Sequence, residues 1–220
     1  MKIINAGFQI LTNINGIEML KAIEYIARTC YKSENMITDL SAVKMVESLI
    51  NRGHEAMLEH QSISVKFIVD RGVSHELVRH RMASFAQEST RYCNYSKDKF
   101  GNQLTFIKPC FWEDEQVRCP LSVWAAAMEK AEKSYFELIG MGVPPEQART
   151  ILPNSIKTEI VMTANLREWR HFFKLRAIGT TGKPHPQMLE VTVPLLAELK
   201  ALIPVVFDDL IVGEKNELLL

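Results

Sequence analysis

Apolar residues recur with strand or helix spacing along most of the chain, which predicts mixed secondary structure. Residues 2 to 11 read as a strand, and apolar residues alternate with polar ones in SISVKFIVD, residues 62 to 70. A third strand is predicted near IKTEIVMTA, residues 156 to 164. Helical spacing predicts helices at 17–30, 41–53, 73–83, 120–142, 144–149, 165–178 and 186–203. Without a regular strand-helix alternation, this pattern favours an α+β fold with a mainly antiparallel sheet, which we expect to form a single domain over residues 1–220.

The balance of charges limits the kinds of partner. Twenty-six Lys and Arg residues offset twenty-six Asp and Glu residues, which argues against binding nucleic acid or an anionic membrane through bulk charge. Any anion site must therefore be local. The chain shows neither a secretory signal nor a run of eighteen apolar residues, so we expect a cytoplasmic protein.

The sequence lacks several familiar catalytic motifs. The four cysteines form neither a CxxC pair nor a zinc-ribbon spacing, and we interpret them as reduced thiols. Cys110, between Pro109 and Phe111, is expected to be buried or half-buried. No GxSxG, GxGxxG or GxxxxGK[ST] motif occurs, which excludes a nucleophile elbow and the usual phosphate loops.

The six histidines lie in polar clusters, but their spacing argues against zinc. His54 and His60 in GHEAMLEH are six residues apart, and His75 and His80 are five apart, about 140° around a helix. A zincin needs histidines at i and i+4, so we expect no metal site. For any single histidine, a polar surface position is an equally good interpretation.

Arginines concentrate in RHRMASFAQESTRY, residues 79 to 92, and recur at Arg149, Arg167 and Arg176. Guanidinium groups stay charged and bind phosphate or carbonyl groups bidentately. Converging arginines would form an anion pocket in this neutral protein. The alternative is that RHR is a solvated helix end and that Arg149 and Arg176 make ordinary salt bridges.

These residues carry a resemblance to the flavin-dependent thymidylate synthases. RHR followed after seven residues by Ser89, and then by Arg91 and Tyr92, resembles the signature of that family. GHEAMLEH is similar to its GHxxxxEH, ARTILP to its arginine-containing turn, and NLREWRHFFKLR to its NxRxxxxFxxLR helix. The resemblance covers roughly residues 20 to 200.

The resemblance implies an α+β homotetramer with active sites between subunits. The reaction it implies converts dUMP to dTMP with 5,10-methylenetetrahydrofolate, using FAD reduced by NADPH and no cysteine nucleophile. Neither a nucleic acid nor a membrane is an expected partner. The other interpretation is a non-catalytic nucleotide- or RNA-binding protein that uses the RHR region as an anion site.

The resemblance also assigns residues. Positions matching cofactor contacts are His54, Glu59, Arg79, His80, Arg81, Gln87, Asn165, Arg167, His171 and His185. Positions matching dUMP contacts are Glu76, Arg79, Gln87, Glu88, Ser89, Thr90, Arg91, Arg149 and Arg176. Arg176 matches the arginine that faces the pyrimidine, where a permanently charged donor would stabilise charge developing on the ring. We therefore predict that it is catalytic.

Three departures from the family pattern affect this assignment. Ala86 and Gln87 replace a usual Asn-Glu, so a role that needs a carboxylate at position 87 is in question. Glu76 replaces a frequent Gln and would need an arginine partner beside a phosphate. AIGTTGKP, residues 177 to 184, is longer than usual and makes His185 the least secure match.

Overall fold

The computed structural model describes residues 1–97, 101–112 and 119–213, in which the strands form two sheets. The strands are β1 (Lys2–Ile4), β2 (Gly7–Ile10), β3 (Ser62–Asp70), β4 (Ala83–Gln87), β5 (Thr105–Ile107) and β6 (Lys157–Asn165). β1 and β5 form a parallel pair, and the larger sheet has the order β2-β3-β6-β4. β3 and β6 run antiparallel, because Leu166 N donates to Gln61 O while Arg71 N donates to Asn154 O.

Helices make up the rest of the regular structure. The α-helices are α1 (Gly16–Thr29), α2 (Ser41–Asn51), α3 (Arg71–Leu77), α4 (Pro120–Gly140), α5 (Pro145–Ala148), α6 (Leu166–Phe173) and α7 (Pro186–Leu202). Short 3₁₀ helices occur at Glu34–Met36, Glu55–His60 and Arg149–Ile151, and a π-helical turn spans Lys174–Ile178. No helix in the described ranges is both long and apolar enough to cross a membrane.

The chain forms two compact units. The first unit comprises Met1–Gly7, Phe67–Arg79 and Phe85–Val161. Its core gathers apolar side chains from α4 and the segments around it, namely Tyr95, Leu104, Phe106, Cys119, Leu121, Trp124, Met128, Tyr135, Ala148 and Ile156. Trp124 Nε1 donates to Ser155 Oγ at 3.0 Å, which satisfies the polar atom of this buried indole.

The second unit comprises Phe8–Lys66, His80–Ser84 and Met162–Leu220. Here α1 packs on α2, and α6 packs on the 3₁₀ helix at Glu55–His60. Trp169 and Phe172 lie edge to face at 5.3 Å, and Phe173 meets Phe207 at 5.7 Å. Gly16 begins α1 against the carbonyl of Leu202, where a Cβ would collide with backbone.

The structure confirms the α+β class and most of the helices and strands read from the pattern. The helix predicted at 73–83 was wrong in its second half, because α3 ends at Leu77 and Ala83 begins β4. The strand predicted at 2–11 is two strands, and Cys110 is exposed rather than buried or half-buried. α7 continues through Pro194. The single domain over residues 1–220 stays a prediction.

Candidate functional site

In the second unit, a chain of hydrogen bonds joins three residues that are far apart in sequence. His80 Nδ1 lies 3.0 Å from Glu168 Oε1, and Arg176 Nε donates to His80 Nε2 at 3.2 Å. His80 and Glu168 are both buried. We call this arrangement the Glu168–His80–Arg176 chain. Its bond from Arg176 Nε to His80 orients the Arg176 guanidinium.

The chemistry of Glu168 and Arg176 decides which atoms donate and which accept along the Glu168–His80–Arg176 chain. An arginine N–H can only donate and an ionised carboxylate can only accept. His80 therefore presents a bare Nε2 to Arg176 and donates its Nδ1 proton to Glu168. Burial lowers the pKa of His80; the bond to Glu168 opposes this shift, while the Arg176 charge adds to it. The neutral imidazole is the form that this geometry requires.

Local sequence explains how α6 places Glu168. Asn165 caps the helix, and its Oδ1 accepts from Glu168 N at 2.9 Å. An N-cap residue followed three positions later by Glu is a helix-start signature. This signal was available in the sequence, but our sequence interpretation did not single out Glu168.

Arg176 sits on the π-helical turn after α6. Thr192 Oγ1 donates to its carbonyl at 2.8 Å, which ties the turn to α7. The turn ends at Gly179 with φ of 81°, where a Cβ would lie 2.8 Å from both Gly182 O and Pro184 Cδ. Only glycine fits that ending. π-Helical turns inside or beside α-helices often occur at functional sites.

Glu168 of the Glu168–His80–Arg176 chain also lines a cleft of about 380 Å³. Its lining residues are Glu55, Glu59, Met82, Asn165, Arg167, Glu168, His171 and Lys174. Four of these were predicted cofactor contacts, namely Glu59, Asn165, Arg167 and His171. Arg167 and Glu59 pair across the cleft, with side chains 53% and 45% exposed. A pair this exposed contributes little to stability and can exchange partners with a bound anion.

The structure also brings together nitrogen and oxygen atoms that could hold a metal ion. Ligand atoms of His80, Glu168 and His171 all lie within 4.8 Å of one another. However, His80 Nδ1 is bonded to Glu168, and the Arg176 charge lies on the other side of the His80 ring. Both features oppose a cation at this point.

Arg170 is a structurally important residue that the sequence interpretation missed. It is 1% exposed and donates to both carboxylate oxygens of Asp209 at 2.7 and 2.8 Å. It also bonds Glu55 and the carbonyl of Val206. The Arg170 hydrogen bond lowers the pKa of Asp209 despite partial burial. Arg170 lies four residues after the buried Leu166, and this helical spacing was the available signal.

Four predicted cofactor residues lie at the surface. His54 precedes the 3₁₀ helix at Glu55–His60 and is exposed, as are Arg79 and Arg81. His185 is exposed too and caps α7, where its Nδ1 accepts from Gln187 N at 3.3 Å. None of the four is among the residues described as lining the 380 Å³ cleft.

In the first unit, the turn after β4 gathers predicted dUMP contacts. Ser89 Oγ accepts from Arg91 N at 3.3 Å, and Thr90 Oγ1 accepts from Arg149 Nη1 at 3.4 Å. Arg91 Nε pairs with Glu146 at 3.0 Å. Arg149 reaches the buried Thr90 from the 3₁₀ helix at Arg149–Ile151. The prediction that Ser89, Thr90, Arg91 and Arg149 share one site is consistent with these contacts.

Glu88 is held from several directions. Its Oε1 accepts from Tyr95 OH at 3.0 Å, and its Oε2 accepts from Lys157 Nζ at 2.9 Å and from Glu159 N at 3.3 Å. Burial, followed by the Glu88 charge, raises the pKa of Tyr95. Burial alone would lower the pKa of Lys157, but its bonds to Glu159 and Glu88 raise it. These three bonds hold the Glu88 carboxylate in place, so it is not open to a ligand, and we call it the anchor of the turn after β4.

This anchor borders a second cleft, of about 450 Å³. Its lining residues are Lys2, Glu88, Tyr95, Gly101, Gln103, Thr105, Lys157 and Glu159. Gln87 contributes to neither cleft as described. Its Nε2 donates to Ser74 Oγ at 2.9 Å and to Thr158 Oγ1 at 3.2 Å, and both hydroxyl residues are buried. At position 87 an amide can donate these two bonds where a carboxylate could not. Glu76, another of the three departures, is half-buried on α3.

Known proteins resemble this chain over most of its length. A family model described as thymidylate synthase complementing protein matches residues 14–205. A protein of Geobacter sulfurreducens named flavin-dependent thymidylate synthase is 32% identical over 195 residues, which cover 86% of this chain and 80% of that protein. A protein of Corynebacterium efficiens with the same name is 32% identical over 216 residues, covering 90% and 81%.

A solved structure has the same fold. It is a UMP/dUMP methylase, PolB from Streptomyces cacaoi, bound with 5-Br dUMP. The TM-score is 0.76 at 20% sequence identity, with 94% of this chain and 96% of that chain covered.

Proposed function

This chain belongs to the thymidylate synthase complementing protein family, and we propose that it is a flavin-dependent thymidylate synthase. In the proposed reaction, dUMP, 5,10-methylenetetrahydrofolate, NADPH and a proton give dTMP, tetrahydrofolate and NADP⁺. The observation that carries this proposal is the Glu168–His80–Arg176 chain, which orients the Arg176 guanidinium and includes Glu168, a residue that also lines the 380 Å³ cleft.

The residues of the 380 Å³ cleft fit part of a flavin dinucleotide. Arg167 and Lys174 supply cations suited to a diphosphate, and Asn165 and His171 supply further polar groups. Arg167 can leave Glu59 for phosphate oxygens, because that pair is half exposed. Bound FAD, once reduced by NADPH, supplies the reducing equivalents.

Arg176 is proposed to stabilise charge on the pyrimidine of dUMP. Its guanidinium is charged at every working pH and is already oriented by His80, so no reorganisation is needed as the ring is attacked. Cysteine chemistry plays no part in the proposal. Within the described ranges, neither cleft is lined by a cysteine.

Binding of the dUMP phosphate is proposed for Arg91 and Arg149, with Ser89 and Thr90 as hydroxyl donors. Arg149 donates to Thr90, and Arg91 lies against Glu146 on the neighbouring α5. Two guanidinium groups at one turn suit a phosphate dianion. The proposal includes a homotetramer whose active sites use more than one chain, and a cytoplasmic location.

An absorbance spectrum followed by an activity assay tests this function. The purified protein is expected to be yellow and to release flavin on denaturation. It is expected to form dTMP only when dUMP, 5,10-methylenetetrahydrofolate and NADPH are all present. A colourless protein that binds nucleotide or RNA without turnover would instead support the non-catalytic anion-binding alternative.

A further inference from the structure

We propose that Glu168 is a positioning residue for Arg176, acting through His80. Its carboxylate accepts the Nδ1 proton of His80 and thereby leaves His80 Nε2 as the acceptor for the Arg176 guanidinium. The catalytic part of this inference rests on the proposed function of Arg176. The part that concerns the tautomer of His80 depends only on the folded protein and not on the proposed reaction.

The single proton of a neutral imidazole decides which ring nitrogen can accept from Arg176. A neutral ring has a single N–H, on Nδ1 or on Nε2. Since Arg176 Nε–H can only donate, a proton on Nε2 would set two donors against each other at 3.2 Å. Glu168 prevents this by offering an acceptor to the other nitrogen, 3.0 Å away. A partner on one ring nitrogen decides the role of the other.

Burial makes this choice of tautomer matter. His80 is 4% exposed, so water is not a ready substitute for its partners. Glu168 is 8% exposed and lines the 380 Å³ cleft. An unpaired N–H or carboxylate at this depth is costly. Around the His80 ring lie Phe172, with a centroid distance of 4.9 Å, and His171, at 5.8 Å. Packing against these rings restricts rotation of the imidazole.

Glu168 is itself placed by its backbone. The amide of Glu168 donates to the Asn165 cap, which fixes the first turn of α6, and the carboxylate projects from this turn to His80. The charge on Glu168 also polarises the imidazole and strengthens Nε2 as an acceptor. Asn165, Glu168, His80 and Arg176 thus form a continuous series that ends at the guanidinium.

The inference also changes the role of His80. The resemblance assigned His80 to the cofactor site, yet both of its ring nitrogens already have partners within the chain. A ring nitrogen could bond a flavin only by giving up Glu168 or Arg176. We therefore assign the imidazole to holding Arg176.

The test measures the tautomer and the kinetics in the same variants. ¹⁵N-histidine spectra of the flavin-loaded protein are expected to show His80 protonated on Nδ1, with the resonance identified by its loss in His80→Gln. Glu168→Gln keeps an acceptor oxygen and is expected to keep this tautomer. Glu168→Leu removes the acceptor and is expected to shift the proton toward Nε2. For Glu168→Leu we expect kcat to fall by about 10- to 100-fold, as for other supporting partners of functional groups, with KM for dUMP changed less than about threefold.

Glu24→Gln is the matched control. Glu24 is another buried glutamate, bonded to Arg28 at 2.7 Å and to Ser41 at 2.9 Å on α1 and α2. Glu24→Gln is expected to lower the free energy of unfolding measured in urea but to leave the His80 spectrum and kcat unchanged. If Glu168→Leu does not fold, the His80 tautomer of the unaltered protein still decides the matter, because protonation on Nε2 would contradict the inference.

A native His80 protonated on Nε2 would overturn the inference, and so would a Glu168→Leu protein with unaltered tautomer and kcat. Failure of the proposed function has a different signature. A protein that forms no dTMP while its His80 tautomer responds to Glu168→Leu would refute the activity and support the hydrogen-bond chain.

Discussion

Arg176 in the second unit and Arg91 in the first are held in opposite ways. Arg176 donates to a buried histidine whose other nitrogen is fixed by a buried carboxylate. Arg91 pairs at the surface with Glu146, with side chains 57% and 48% exposed, and lies 5.3 Å over the ring of Tyr92. The first guanidinium is oriented before any ligand arrives, whereas the second is free to exchange one anion for another.

This difference matches the two tasks that we propose. A group that stabilises developing charge gains from being oriented in advance, because no free energy is then needed to reorganise it during the reaction. A group that captures a phosphate gains from accessibility and from a weak competing partner. Mutations in the buried Glu168–His80–Arg176 chain are therefore expected to change mainly kcat. Mutations in the exposed turn are expected to change mainly KM for dUMP.

The largest effect is expected at Arg176. Arg176→Ala removes a preoriented donor to developing charge, so we expect kcat to fall by about 100-fold or more, with KM for dUMP less affected. Arg176→Lys is expected to restore activity only partly, since lysine lacks the Nε–H that Arg176 donates to His80 and its ammonium lacks the planar fork of a guanidinium. Steady-state kinetics at saturating folate and NADPH, with flavin occupancy checked by absorbance, measure both. An Arg176→Ala protein with unchanged kcat and raised KM would make Arg176 a binding residue.

The next effect concerns the exposed turn. Arg91→Ala and Arg149→Ala each remove a proposed phosphate contact that is equal in ground and transition states. We expect KM for dUMP to rise about tenfold in each, the scale of one charged hydrogen bond, with kcat little changed. Raising the ionic strength is expected to raise KM in the unaltered protein more than in either variant.

Arg52→Ala is the matched control for these two variants. Arg52 is an exposed arginine at the end of α2 and bonds Ser48. Its removal is expected to leave KM unchanged. A fall in kcat in Arg91→Ala that equals the fall in Arg176→Ala would erase the distinction between the two regions.

How far the sequence anticipates each region depends on the distance over which residues interact. Alternation in β3 and β6 and the proline and glycine at the ends of α4 predict those elements correctly, because each signal is local. β4 was missed because ASFAQ alternates only between exposed and half-buried positions, which gives a weak strand signal.

The hydrogen-bond chain could not be read from any local pattern. His80 and Glu168 are 88 residues apart, and His80 and Arg176 are 96 apart. Motif matching found His80 and Arg176 but missed Glu168. The π-helical turn was likewise read as a continuation of the helix over 165–178, since its geometry depends on contacts such as Thr192 to Arg176 O.

A smaller effect is expected from the anchor of the exposed turn. Glu88→Gln replaces an acceptor of three hydrogen bonds by an amide whose N–H₂ group would face Lys157 or Tyr95. We expect a loosened Ser89–Arg91 turn, seen as a KM for dUMP raised about threefold, within the usual worth of one hydrogen bond. Glu159→Gln is the control, because Glu159 also pairs with Lys157 but has no proposed ligand role. An equal rise in KM in both variants would attribute the effect to Lys157 rather than to the anchor.

The smallest effect is expected from the cysteines, which belong to neither set of arginine contacts. Cys30 and Cys110 are exposed, Cys93 is half-buried and Cys119 lies in the core of the first unit. Replacing Cys30, Cys93 and Cys110 by Ser and Cys119 by Ala is expected to leave kcat and KM within about twofold, since charge stabilisation by Arg176 requires no thiolate. Urea unfolding is expected to show some loss of stability from the truncation at Cys119, a buried site. Steady-state dTMP formation by the folded, flavin-loaded variant measures the result. Loss of turnover in a folded, flavin-loaded Cys110→Ser protein would indicate thiolate catalysis instead of charge stabilisation by Arg176.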